Sequence, residues 1–316
     1  MTALIQVILL LAGFAALLKG ADLLVDGAVG FARRFHIPTL VIGMTIVAFG
    51  TSAPEAAVSI TAAMEGNSAI SVSNIIGSNL FNLLAVGGIC ALIRPLTVKR
   101  ISVIRDYPFH LVITAALLVM FCDPFLGTGA PFLSRGDGLI LLLLMGMYMY
   151  MNIKDGMGGD GHEEPAENIS VPKSLLFLVL GLAGVIVGGR LVVDSSTVLA
   201  RMMGISDTLI GLTVVALGTS LPELVTSAVA CRKGEADLAW GNIVGSNIFN
   251  ILFVLGFSAL ISPIGIDMLS IYDTAVLLIV SVLVYLAAAP AKKISRPIGG
   301  AMLAAYLVYA VYIILR

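Results

Sequence analysis

Two glutamates lie inside long apolar segments of this 316-residue chain, and each ends the same short motif. Glu55 completes GTSAPE and Glu223 completes GTSLPE. A carboxylate at the centre of a bilayer costs about 2.5–3.5 kcal/mol on insertion scales, so both side chains need compensation. Two ionised glutamates give a site a charge near −2, which suits one divalent or two monovalent cations.

The prolines of these motifs predict a break in each helix. Pro54 has no N–H to donate to the carbonyl of Gly50, and Pro222 has none for that of Gly218. Irregular backbone at membrane depth is tolerated only where protein or a water-filled cavity satisfies it. We therefore expect carbonyl oxygens near the breaks to join the glutamates.

A second motif recurs after each glutamate and adds further oxygen atoms. NIIGSNLFN covers residues 74–82 and NIVGSNIFN covers residues 242–250. Ser and Asn four positions apart in each motif share one face of a helix. The candidate cation ligands are Ala48, Thr51, Ser52, Glu55, Ser78, Asn82, Ala216, Thr219, Ser220, Glu223, Ser246 and Asn250.

Every candidate donor atom in this set is oxygen. Hard oxygen ligands favour Ca²⁺, Na⁺ or Mg²⁺ over zinc, copper or iron, and Mg²⁺ is disfavoured because it loses water reluctantly. The three histidines, His36, His110 and His162, are expected in loops or near the ends of spans. The residue types thus favour Ca²⁺ or Na⁺ at this site, and no cofactor is expected. The two asparagines are equally consistent with hydrogen bonds between helices.

Composition identifies the elements that must position these residues. The chain is 59% hydrophobic and only 12% charged, whereas soluble domains average roughly 45–50% and about 25%. This excludes an ordinary cytosolic enzyme, and a net charge of −1 gives no basic field for nucleic acid. We predict an all-α integral membrane protein whose surroundings are the lipid bilayer.

Hydropathy and turn signals predict ten transmembrane helices, of which the second and seventh are broken. The polar stretch 153–172 is typical of a flexible linker. The predicted spans are 3–30, 38–64, 69–93, 107–122, 137–152, 173–200, 206–231, 236–261, 270–289 and 297–315.

The two halves of the chain are repeats of each other. A shift of 168 positions aligns residues 20–95 with 188–263 without a gap, at about 34 identities in 76 positions. We predict a first five-helix unit, 1–152, with its motif region at 43–82, and a second, 173–316, with its motif region at 211–250. Because five is odd, the second unit has inverted topology, as in many secondary transporters.

Lysine and arginine positions predict the orientation. Alternating loops place thirteen of these residues on one side of the membrane, and only Arg135, Arg201 and Arg316 on the other. The positive-inside rule makes the first side cytoplasmic. The protein is then a multi-pass protein of the cell membrane, with both termini outside and the 153–172 linker in the cytoplasm.

The duplicated motifs GTSAPE with NIIGSNLFN and GTSLPE with NIVGSNIFN resemble the two α-repeats of the Ca²⁺/cation antiporters. Within that family the chain most resembles the prokaryotic sodium/calcium exchangers, over nearly its whole length. The resemblance implies that Glu55 and Glu223 bind Ca²⁺ and Na⁺ alternately, together with the carbonyls of Ala48 and Ala216. The hydroxyls of both motifs would complete the sites, with Asn82 as a neighbouring ligand.

Ion competition at one cage predicts Na⁺/Ca²⁺ antiport by alternating access. The chain is separately expected to function as a monomer. The glycine-bearing first and sixth spans are the candidates to slide. The alternatives are Ca²⁺/H⁺ antiport, in which the glutamates carry protons, and a K⁺-dependent antiporter. Asn250 stands where K⁺-dependent relatives carry Asp, which disfavours the latter. Paired halves with competing ion sites argue against a channel.

Overall fold

The computed structural model of the chain describes residues 2–122, 131–158, 170–205, 214 and 216–315. Their helices are α1 (Thr2–Arg34), α2 (Thr39–Thr51), α3 (Ala53–Met64), α4 (Ser68–Ile93), α5 (Ser102–Phe121), α6 (Arg135–Gly158), α7 (Val171–Met202), α8 (Ala216–Gly218), α9 (Leu221–Lys233), α10 (Ala236–Ile261), α11 (Met268–Ala288) and α12 (Arg296–Leu315). Two-residue strands are β1 (Leu96–Thr97), β2 (Phe132–Leu133), β3 (Ile264–Gly265) and β4 (Lys293–Ile294).

The expected class, a helical membrane protein, is confirmed. Within the described ranges, eight helices are long and apolar enough to cross a membrane, and the bent pair α2–α3 makes a ninth. Of the predicted seventh span, 206–231, residues 206–213 and 215 lie outside the described residues. The remainder forms α8 and most of α9.

Two predicted spans differ from the observed helices by five residues or more at one end. The fourth was expected to begin at 107, but α5 begins at Ser102. Arg105 and Asp106 lie before the predicted start, and the helix includes both; the Arg105 guanidinium and the Asp106 carboxylate pair at 2.6 Å. The fifth was expected to end at 152, but α6 continues to Gly158, into the predicted 153–172 linker. Residues 159–169 of that linker lie outside the described residues.

The short strands join loops that the sequence assigned to the same side. Strand β1 pairs antiparallel with β4, and β2 pairs with β3. At the end with β1 and β4, Lys99 lies 2.8 Å from Asp237. Arg33 and Glu235, assigned to the same side, lie 3.2 Å apart. These contacts agree with the predicted alternation of loops between two ends of the helical bundle.

Helices α4 and α10 form the centre of the bundle. In each, 83% of the most apolar window is buried, against 17% in α1 and α12. Both contain a π-helical turn, at Phe81–Val86 in α4 and at Asn250–Leu255 in α10. Such turns interrupt the regular ladder and are frequent at functional sites. Asn82 and Asn250, both sequence-predicted ligands, lie in these turns.

Helices α1 and α7 pack against each other through glycines. A Cβ added at Gly20 would stand 2.6 Å from the backbone nitrogen of Val185, and one at Gly27 would stand 2.5 Å from that of Leu178. In the other direction, a Cβ at Gly188 would stand 2.5 Å from the nitrogen of Leu17. Small residues at these positions let the two backbones approach closely.

His110 lies deeper than the sequence indicated. It is 1% exposed within α5, and its Nε2 is 3.2 Å from the hydroxyl of Ser281 in α11. The expectation that it sits near a span end was wrong because α5 begins five residues earlier than predicted.

The glycine contacts predict that Gly20→Ala lowers the melting temperature of the detergent-purified protein. Its added methyl meets backbone atoms, which cannot rotate away, and overpacking of this kind costs roughly 1–3 kcal/mol. Gly146→Ala in α6 is the matched control, since a Cβ there has nothing within 4 Å. Equal melting temperatures for the two variants would contradict close α1–α7 packing.

Candidate cation site

The site is built on two helix breaks of nearly identical geometry. Ser52 separates α2 from α3 with φ −82° and ψ 8°, and the two helices bend by 50°. Ser220 precedes α9 with φ −91° and ψ 5°. Pro54 and Pro222 occupy the first turn of the helix that follows each break, where a missing N–H costs no helical bond.

Both glutamates lie in the first turn of a helix. Glu55 is in the first turn of α3 and Glu223 in that of α9, and both are 0% exposed. Helix N-termini carry partial positive charge, which favours a carboxylate at this position. The breaks therefore direct two helix N-termini at two buried carboxylates.

Each serine of a break donates to the glutamate of the other break. The Ser52 hydroxyl donates to Glu223 Oε1 at 2.7 Å, and the Ser220 hydroxyl donates to Glu55 Oε1 at 2.8 Å. The two GTSxPE motifs, 168 positions apart in sequence, are thus joined by a reciprocal pair of hydrogen bonds. This makes one site of them.

The second motif supplies further hydroxyls to the same carboxylate oxygens. Ser78 donates to Glu55 Oε1 at 3.3 Å, and Ser246 donates to Glu223 Oε1 at 3.5 Å. The hydroxyl oxygens of Ser220 and Ser78 also lie 2.9 Å apart. Helix α4 therefore contacts Glu55, and helix α10 contacts Glu223 at the equivalent position.

The other glutamate oxygens have no hydrogen-bond partner among the described residues. Buried oxygens in this condition include Glu55 Oε2, Glu223 Oε2, Thr219 Oγ1, Asn82 Oδ1 and Asn250 Oδ1. Leaving a buried acceptor unsatisfied costs about 1–3 kcal/mol for each group. All five belong to the sequence-predicted ligand set, and a cation of oxygen-ligand preference would satisfy them.

The carbonyl of Ala48 keeps its helical bond. It accepts the N–H of Ser52 at 3.0 Å and lies 3.4 Å from the Thr51 hydroxyl. A carbonyl oxygen has two lone pairs, so this one can still face an ion. Ala216 begins α8, and its side chain lies outside the described residues.

Two asparagine–serine pairs around the site were missed by the sequence reasoning. Asn74 donates to the Ser59 hydroxyl at 2.8 Å and to the Glu55 carbonyl at 3.3 Å. Asn242 donates to the Ser227 hydroxyl at 3.0 Å, and its Oδ1 accepts from Thr51 at 3.1 Å. The available signal was that all four recur at the 168-residue shift inside apolar spans.

The negative charge of the site comes from the glutamate pair. Among the described residues, no group of three or more His, Cys, Asp or Glu side chains is arranged to hold a metal ion. The remaining oxygens are hydroxyls and amides, which add ligands without adding charge.

Comparison with known proteins gives concordant matches. The family described as "Sodium/calcium exchanger protein" matches residues 5–154 and 173–315. The inner membrane protein YrbG of Escherichia coli is 40% identical over 286 residues, covering 87% of this chain and 86% of YrbG. The sodium/calcium exchanger MaX1 of Methanosarcina acetivorans is 28% identical over 344 residues, covering 97% of this chain and 98% of MaX1.

A solved structure is similar over almost the whole length. The sodium-calcium exchanger NCX_Mj, soaked with Na⁺ and Sr²⁺, superposes with a TM-score of 0.85 at 35% identity, and the match covers 97% of this chain and 98% of that one.

The reciprocal bonds predict that Ser52→Ala and Ser220→Ala weaken Ca²⁺ binding to a similar extent. Each variant removes one candidate hydroxyl ligand and one bond to a carboxylate, and bonds to charged groups are worth about 1.5–3 kcal/mol, or roughly ten- to hundredfold in affinity. The measurement is the rise in melting temperature of the purified protein with Ca²⁺ concentration.

Ser258→Ala is the control for these serine variants. Ser258 is also buried in α10, and its hydroxyl has no hydrogen-bond partner among the described residues. Its replacement should leave Ca²⁺ stabilisation unchanged. Loss of stabilisation in only one of the two break variants would contradict a shared site.

Proposed function

The chain belongs to the sodium/calcium exchanger protein family, and we propose that it is a secondary antiporter that exchanges Na⁺ for Ca²⁺ by alternating access. It is a multi-pass membrane protein of a family of exchangers rather than enzymes. The transported ions are its substrates, and no cofactor takes part in the exchange.

One observation carries the proposal. Each glutamate has one oxygen held by the serine of the opposite break and one oxygen without a partner among the described residues. Each carboxylate is therefore bonded to the break that carries the other, which supports one site shared by both. Ca²⁺ and Na⁺ each need both glutamates. The two ions therefore cannot occupy the site at the same time.

The proposed ligands are the sequence-predicted oxygens. Glu55 and Glu223 carry the charge and bind either ion. The neutral ligands are the carbonyls of Ala48 and Ala216, the hydroxyls of Thr51, Ser52, Ser78, Thr219, Ser220 and Ser246, and the amide oxygens of Asn82 and Asn250. Ca²⁺ takes six to eight oxygens, a number that this set can supply.

The proposed architecture is ten spans in two inverted five-helix repeats, 1–152 and 173–316, joined by a cytoplasmic linker. Helices α4 and α10 support it, because Ser68–Ile93 becomes Ala236–Ile261 at the 168-residue shift. The two matching breaks support it as well. Both termini are proposed to face away from the cytoplasm, since the basic loops cluster on the other side.

Exchange follows if the protein with an empty site switches poorly between inward and outward access. Two uncompensated carboxylates in a low-dielectric core oppose the switch between inward and outward access, and bound cations remove that penalty. Helices α1 and α7 are the proposed moving elements. Their glycine contact permits sliding, and neither of them contributes a proposed ligand.

Proton coupling is the competing proposal. In a Ca²⁺/H⁺ antiporter the two glutamates would carry protons, and the hydroxyls around them would have no ion to bind. The unpartnered neutral oxygens of Thr219, Asn82 and Asn250 favour Na⁺, since a proton needs no cage of oxygens. K⁺ coupling is disfavoured by the neutral side chain at Asn250.

We expect radioactive Ca²⁺ uptake into proteoliposomes loaded with Na⁺ and little uptake with K⁺ alone or with a pH gradient alone. Glu55→Gln and Glu223→Gln should each reduce Na⁺-driven uptake at least about a hundredfold, because removing one partner of a buried charged site costs several kcal/mol. The assay is the initial rate of uptake at fixed Ca²⁺.

Glu65→Gln is the matched carboxylate control, since Glu65 is exposed just after α3 and outside the cage. It should retain the wild-type rate. Ca²⁺ uptake that is driven by the pH gradient without Na⁺ would contradict Na⁺/Ca²⁺ exchange and indicate Ca²⁺/H⁺ antiport instead.

A further inference from the structure

Two asparagines outside the proposed ligand set join the central helices. The side-chain amide of Asn79 donates to the backbone carbonyl of Asn247 at 3.2 Å. The side-chain amide of Asn247 donates to the backbone carbonyl of Asn79, also at 3.2 Å. Both residues are at most 1% exposed, and the two bonds connect α4 to α10 at equivalent positions of the repeat.

The bond to a backbone carbonyl fixes which way the Asn79 amide faces. A carbonyl oxygen only accepts, so the Asn79 atom that faces Asn247 must be the NH₂ group. The other end of the Asn79 amide is then its oxygen, Oδ1. This oxygen lies 3.1 Å from the amide of Asn250.

The orientation of Asn250 follows from that of Asn79. Because Asn79 presents an acceptor, Asn250 must present its NH₂ group to it, and the same group donates to the Ser78 hydroxyl at 3.3 Å. The oxygen of the Asn250 amide is left with no partner among the described residues. It belongs to a side chain that contacts Ser78, which itself donates to Glu55.

We propose that Asn79 is a positioning residue that holds the amide of Asn250 so that its oxygen, and not its NH₂ group, is available to the cation. The inference rests on the proposed function, in which Asn250 is an ion ligand. Without Asn79 the amide can reverse, and its NH₂ group then repels a cation where its oxygen had attracted one. Asn79 thus sets the affinity of the cage without touching the ion.

The equivalent contact in the other half is not made in this structure. Asn247 Oδ1 is buried without a partner among the described residues, as are both polar atoms of the Asn82 amide. Asn247 therefore ties α10 to α4 as Asn79 ties α4 to α10, but it orients no ligand here. This difference makes Asn247 a matched structural control for Asn79.

The test compares Asn79→Leu with Asn247→Leu in the purified full-length protein. Asn247→Leu removes one bond between α4 and α10, and Asn79→Leu removes the equivalent bond together with the one from Asn250, so both should lower the melting temperature without Ca²⁺, Asn79→Leu at least as much. Only Asn79→Leu should weaken Ca²⁺ binding. It should raise the Ca²⁺ concentration needed for half-maximal thermal stabilisation about tenfold, which corresponds to one lost hydrogen bond at the upper end of its usual range.

Asn250→Ala supplies the second comparison. If Asn79 acts through Asn250, adding Asn79→Leu to Asn250→Ala should change Ca²⁺ affinity by less than about twofold, as expected for coupled residues. Equal affinities in the two leucine variants, or a full tenfold effect in the Asn250→Ala background, would overturn the inference. A wild-type protein that binds Ca²⁺ but does not exchange it for Na⁺ would refute the proposed function instead. The Ca²⁺ affinities of the variants would still test the role of Asn79.

Discussion

Two carboxylates buried without a cationic side chain are the constraint on which the rest of this structure depends. Among the described residues, no Lys, Arg or His forms an ion pair with Glu55 or Glu223; serines and helix N-termini face them instead. Hydroxyls stabilise a carboxylate but do not neutralise it. In the proposed function a bound cation supplies that compensation, so the energy of the site depends on whether it is occupied.

The reciprocal construction explains why both halves are needed. Ser52 belongs to one break and acts on the glutamate of the other, as Ser220 does in return. Neither half holds a complete site, because each carboxylate is oriented by the opposite repeat. The central helices α4 and α10 add a second reciprocal connection through Asn79 and Asn247. In the proposed mechanism, helices move around this centre to change access while the proposed ligands stay together.

The sequence predicted which residues the structure brings together, because those residues belong to motifs that occur twice. The glutamates, the helix breaks and the neighbouring Ser and Asn residues were all recognisable from type and spacing. It predicted the limits of helices less well. The fourth span was expected to begin at 107, but α5 begins at Ser102 and includes Arg105 and Asp106, whose charges pair with each other.

The orientation of side chains was beyond any sequence argument. Asn82 and Asn250 occupy equivalent positions, yet one amide is held by Asn79 and the other has no partner among the described residues. That difference arises from the packing of α4 against α10, and the sequences of the two motifs do not show it. The roles of Asn74 and Asn242 were missed for the same reason, although their recurrence inside apolar spans was visible.

The most direct test of a shared cage is equilibrium binding of radioactive Ca²⁺ to the detergent-purified protein over a series of Na⁺ concentrations. The account predicts complete displacement, with the apparent Kd for Ca²⁺ rising without limit and more steeply than in proportion to Na⁺, because more than one Na⁺ replaces each Ca²⁺. A Ca²⁺ affinity that is indifferent to Na⁺, or that reaches a plateau, would show that the two ions bind together and would contradict it.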